Sequence, residues 1–124
     1  MYGNNITESN TYDMDRGWLT GKEYINKYHT IEFSIGMEYD NVGNINSQNI
    51  DNGSDMQIVF QYDNLYQLKG YLDQQNYLLE LYSYCDNGNI IYLGGESFSI
   101  SGTNNHITNS GYVYNANGNM TTQI

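Results

Sequence analysis

Cys85, His29 and His106 are the side chains of this 124-residue sequence best suited to nucleophile or imidazole chemistry. A thiol needs a base within hydrogen-bonding reach, and that base needs a third group to orient it. Cys85 lies in "YCDNGN" and His106 in the polar stretch "GTNNHITN", and neither has a partner close in sequence. No catalytic residue is assigned, and the chain is not expected to be an enzyme. "DNGSD", residues 51–55, gathers two carboxylates and an asparagine around a glycine. Those are ingredients of a calcium loop, but the later bidentate glutamate is missing. The stretch reads as a polar hairpin connection, and neither a metal nor a cofactor is expected.

Fourteen acidic and four basic residues give a net charge of −10. Such a surface repels nucleic acid and anionic lipid, so neither is an expected partner. An acidic inhibitor that mimics DNA fits the charge less well than it first suggests, because many carboxylates fall at turn positions. No apolar run reaches membrane-spanning length, and "MYGNNITESN" has neither the basic region nor the apolar stretch of a signal peptide. A single cysteine excludes an intrachain disulfide framework. Three Asn-x-Ser/Thr sequons, at Asn5, Asn52 and Asn119, read as coincidence in a chain so rich in these residues.

The elements that must position these residues follow from composition and period. With 14 Tyr, 13 Gly and no Pro, the chain favours pleated surfaces joined by tight turns, an all-β reading for one domain over residues 1–124. "MEYDNVGNINS", "FQYDNLYQLKG", "YSYCDNGNIIY" and "GYVYNANGNMTT" repeat one pattern, with "NTYDMDRGWLTG" as a looser copy. Units begin near residues 10, 37, 60, 82 and 112, after a partial unit at 1–9. Tyr39, Tyr62, Tyr84 and Tyr114 each follow an apolar residue by two and precede Ile45, Leu68, Ile90 or Met120 by six. Tyr12 precedes Leu19 by seven, so the first copy carries an extra residue, expected to form a bulge. Asp13, Asp40 and Asp63 are expected to accept hydrogen bonds from turn amides. Gly17, Gly43, Gly88 and Gly118 are expected where the turn needs positive φ. Each unit is then strand, turn, strand, and stacked units share a curled antiparallel sheet.

These units resemble the RHS/YD-repeat family, whose signature is a Tyr-Asp pair leading into a Gly-Asn turn and an aliphatic residue. The resemblance covers residues 10–124. It implies a β-sheet shell of repeats in large, secreted or surface bacterial proteins, some of them linked to carbohydrate binding, and hence an extracellular or cell-surface location. Departures are Cys85 and Asn115 at the Asp position and Tyr66 at the Gly position, where weaker turns or turns of another type are expected.

The expected function is architectural: part of a shell, or a module joining copies of itself head-to-tail through open sheet edges. Carbohydrate binding is the alternative. The signature tyrosines share the apolar face and are expected in a core, with Trp18 at the core or its rim. Tyr24, Tyr28, Tyr71, Tyr77 and Tyr92 lie outside the signature and form the candidate binding surface.

Overall fold

The computed structural model describes residues 5–123, which form strands and turns with no helix among them. The strands are β1 (Thr7–Tyr12), β2 (Leu19–Ile25), β3 (Ile31–Tyr39), β4 (Ile45–Asp51), β5 (Asp55–Tyr62), β6 (Leu68–Asp73), β7 (Leu78–Tyr84), β8 (Ile90–Leu93), β9 (Glu96–Ser97), β10 (Tyr112–Tyr114) and β11 (Met120–Gln123). They belong to two compact units, Met1–Leu79 and Glu80–Ile124. Of the partial unit at 1–9, residues 1–4 lie outside the described residues.

In the first unit β1 to β6 pair in chain order, every neighbour antiparallel. Side chains alternate across a strand, so one register row fixes one face. Tyr24 pairs with Phe33, Ile35 with Ile50 and Phe60 with Tyr71, which collects apolar groups on one face. Gly21 pairs with Gly36, Gly36 with Asn49 and Asn49 with Gln57, which leaves that row of the other face small and polar. In the second unit β7 pairs with β8 and β8 with β9. A separate hairpin joins β10 to β11, and Ile100 bridges Ile107.

No hydrophobic side chain among the described residues is buried. Ser47, 5% exposed, is the buried polar residue, and its hydroxyl lies 2.9 Å from a Glu38 carboxylate oxygen. The expected core of Tyr39, Tyr62, Tyr84 and Tyr114 is therefore corrected: all four are half-buried. Alternation puts each on the apolar face of its own strand, but a single layer of sheet lays nothing over such a face.

The signature turns share one backbone. Asp40 N–H donates to Asn44 O at 2.9 Å and Gly43 N–H to Asp40 O at 3.4 Å. Asp63 with Gln67, Cys85 with Asn89 and Asn115 with Asn119 repeat the first bond, at 3.0, 2.9 and 2.9 Å. The residue before the last in each turn has positive φ: Gly43 99°, Tyr66 61°, Gly88 79°, Gly118 81°. This is a type I turn followed by a left-handed residue and a bulge. The turns at Tyr66, Cys85 and Asn115 are thus of the same type as the rest, correcting the expectation of another. The bulge is likewise general: the register shifts beside Tyr12, Tyr39, Tyr62, Tyr84 and Tyr114 alike. The extra residue of the first copy instead lengthens its turn, where Asp13 N–H reaches Trp18 O.

Candidate functional site

What most distinguishes this molecule chemically is how each hairpin is fastened to what precedes it. Tyr39 donates its hydroxyl to Leu19 O at 2.7 Å, and Tyr62 donates to Ile45 O at 2.8 Å. Both acceptors open the second strand of the preceding hairpin, so the signature tyrosine staples neighbouring repeats. Trp18 lies on Tyr39, ring centroids 5.1 Å apart, with the Arg16 guanidinium 4.7 Å from its own centroid. Trp18 also covers Gly43, where a Cβ would sit 3.1 Å from its Cζ2. The residue in Trp18's place before Tyr62 is Asn44, whose amide turns to Asp40 Oδ2 at 2.8 Å. Asn44 has no ring to lay over the next turn as Trp18 does over Gly43, and that turn carries Tyr66 at the Gly position, 59% exposed.

The turn caps were legible as chemistry. Asp40 Oδ1 accepts from the amides of Val42 and Asn44, both at 2.9 Å. Asp63 and Asn115 accept from the same two positions, and Asp13 from Asp15 and Arg16. Desolvation works to raise the Asp40 pKa, but the hydrogen bonds from Asn44, Val42 and Gly43 outweigh it and hold the carboxyl below its ordinary value of 3.8. Tyr62 moves the other way: desolvation first, then the charge of Asp40, raises its phenol above 10.0. Sequence reading missed two further copies of this turn, at 26–30 and 73–77, capped by Asn26 and Asp73. Their left-handed residues are His29 and Asn76, and the Asx residue that opens each turn was the available signal.

The residues singled out for reactivity occupy structural places. His29 is an exposed turn residue with φ 62°. Cys85 is half-buried at the cap position of its turn. His106 lies flat on Tyr114, centroids 3.9 Å apart and 11° between planes, and its Nε2 would be 3.3 Å from a Cβ at Gly118. Residues 51–55 form the β4–β5 turn, and no group of three potential metal ligands occurs among the described residues.

The five candidate binding tyrosines are dispersed. Tyr28 and Tyr77 stand out at turns, 74% and 71% exposed. Tyr24 and Tyr71 are half-buried cross-strand partners of Phe33 and Phe60, with ring centroids 6.0 and 6.2 Å apart. Tyr92 is half-buried on β8. A depression in the first unit instead draws on residues of the polar face. It is open to solvent, has a volume of about 480 Å³ and is lined by Ser34, Gly36, Asn49, Asp51, Asp55 and Gln57, with the apolar Ile50 and Met56 beside them. Gly36 floors it with open space, since a Cβ there would meet only Asn49 Cβ, at 3.9 Å.

The chain matches no family model and no curated protein. Among solved structures it is similar to the Photorhabdus luminescens Tc holotoxin pore, with a TM-score of 0.74 at 16% identity. The match covers 96% of this chain and 9% of that one, so the chain spans a small part of its structural neighbour's length. At this identity the likeness shows the fold: an antiparallel all-β sheet of the kind found in that toxin.

Proposed function

We propose that this chain is a structural module of the RHS/YD-repeat type, building part of a β-sheet shell or joining copies of itself head-to-tail. The observation that carries the reading is the staple. Tyr39 and Tyr62 each bond a backbone carbonyl one hairpin back, so order passes from repeat to repeat and not through a common interior. A fold shared with a toxin more than tenfold longer supports membership of an extended array. On this reading the protein acts outside the cell or at its surface, and no catalytic step is assigned.

In the first unit's sheet β1 is an edge strand, and strand edges accept further strands from a neighbour. Head-to-tail addition at such an edge is a heterologous contact that propagates. Size-exclusion chromatography with light scattering tests it. Species that grow with protein concentration are expected, and a strict monomer at every concentration would remove the self-association arm.

Carbohydrate binding is the second reading, favoured by one feature, the glycine-floored depression. There the amides of Asn49 and Gln57 and the carboxylates of Asp51 and Asp55 are adjacent register partners. Paired amides and carboxylates bond vicinal hydroxyls well. Glycan-array binding lost in Asn49→Ala would support it, and an array with no signal would end it.

A further inference from the structure

The β4–β5 turn differs from the other Asn-Gly turns in what holds its glycine amide. The sequence has three Asn-Gly pairs, at 52–53, 87–88 and 117–118. Gly88 N–H donates to the backbone carbonyl of Cys85 at 2.8 Å, and Gly118 N–H to that of Asn115 at 3.0 Å. Gly53 N–H donates instead to a carboxylate, Asp51 Oδ1, at 2.9 Å. A carbonyl can hold that proton; a carboxylate can also remove it.

This matters because an asparagine followed by glycine can modify itself. The glycine nitrogen attacks the asparagine Cγ, a nitrogen–carbon bond forms, and the side-chain amide leaves as ammonia. The resulting five-membered succinimide is opened by water to aspartate or isoaspartate. Overall one water is consumed and one ammonia released, with no oxidant or other reactant. The attack requires loss of the glycine amide proton, which is a task for a general base within about 2.6–3.2 Å. Asn52 and Gly53 are both exposed, and nothing lies within 4 Å of a Cβ built at Gly53, so no neighbouring side chain crowds the glycine.

We propose that Asn52-Gly53 is a self-modification site in which the Asp51 carboxylate takes the Gly53 amide proton and passes it to the departing ammonia. The product changes the sheet where it is formed. Aspartate at 52 adds a negative charge between Asp51 and Asp55, which are register partners. Isoaspartate inserts a backbone methylene into the turn and shifts the β4–β5 register. Either outcome marks one hairpin of the array chemically and leaves the others as made.

The test is incubation of the full chain near neutral pH, followed by peptide mapping that scores amide-to-acid conversion and isoaspartate at all three sites. Asn52 is expected to convert at least about tenfold faster than Asn87 and Asn117, which is still less than a positioned base contributes in an enzyme. Asp51→Asn keeps the turn bond, because Asn26 and Asn115 already accept from turn amides through Oδ1 at 2.8 and 3.0 Å, but it removes the base. It is expected to slow Asn52 alone. Equal rates at the three sites in the folded chain, or an unchanged rate in Asp51→Asn, would overturn the proposal. The unsubstituted chain in denaturant gives an independent arm: the lead of Asn52 should vanish there, and its persistence would also overturn the assignment to folded geometry.

Discussion

Trp18, Tyr39 and Gly43 in the first unit and His106, Tyr114 and Gly118 in the second solve the same problem by different routes. In both, an aromatic ring lies on the signature tyrosine and covers the glycine of the turn that follows. In both, the residue after that ring supplies the backbone partner of the phenol. The polarity is reversed, however. Tyr39 donates to Leu19 O, whereas Tyr114 accepts from Ile107 N–H at 2.9 Å. What the arrangement conserves is the covered ring and the tethered hydroxyl, since a phenol oxygen serves as donor or acceptor. The covering residue arrives from a preceding hairpin in one case and from an irregular connector in the other. Fastening by contact, not by a sequence-adjacent motif, is what lets connectors vary in length between units.

The glycines should separate the two regions most. Gly43→Val places a branched side chain at φ 99° and drives its Cβ toward Trp18. Strain at such a position costs roughly 1–3 kcal/mol before any clash is added. Gly118→Val suffers similar strain at φ 81°, but it meets only the edge of His106 at 3.3 Å, so its loss should be smaller. Urea unfolding of both variants measures this. Adding Trp18→Ala should recover part of the Gly43→Val loss, and if it recovers nothing, the ring is not what excludes a side chain there.

This pair also marks how far the sequence could be read. The turns were legible because Asx and Gly residues have conformational preferences that survive without context, and Asp13, Asp40 and Asp63 cap as expected. The alternation in Ile31–Tyr39 likewise gave the strand and its faces. Alternation does not say whether anything covers an apolar face, which is why a core was expected for tyrosines that are half-buried. Nor does spacing reveal that His106 stands in for Trp18, because the two enter from different connections. Tyr66 shows the same limit from the other side: spacing marks a glycine position there, yet a tyrosine holds the same left-handed conformation, with φ 61°.

A smaller effect should distinguish the two phenols. Tyr114→Phe leaves the half-buried Ile107 N–H without its acceptor, and an orphaned donor has a single proton to place. Tyr39→Phe leaves Leu19 O, which has a second lone pair and half-exposed surroundings. Losses of about 1–1.5 kcal/mol for Tyr114→Phe and about 0.5 kcal/mol for Tyr39→Phe are expected within the range of single hydrogen bonds. Equal losses would mean that ring packing, and not bond polarity, sets the difference between the regions.

The smallest contrast is in acid. The 40–44 turn is capped by a carboxylate and the 115–119 turn by an amide, yet both caps accept from the amide four residues on, at 2.9 and 3.0 Å. Asp40 has its pKa lowered in the folded chain, so its contribution is complete above the unfolded value of 3.8 and is lost as pH falls through the folded value. Asn115 has nothing to titrate. The amide proton of Asn44 should therefore shift its resonance below pH 3.8 while that of Asn119 stays in place. The same carboxylate acts on Tyr62, whose raised phenol pKa means a contribution that is complete below 10.0 and lost as pH rises through the folded value. Asp40→Asn should bring the Tyr62 titration only part of the way back toward 10.0, because removal from water is the larger cause of its shift and the charge of Asp40 the smaller. A complete return would reverse that order and make the turn carboxylate, rather than the staple's burial, the group that governs the neighbouring phenol.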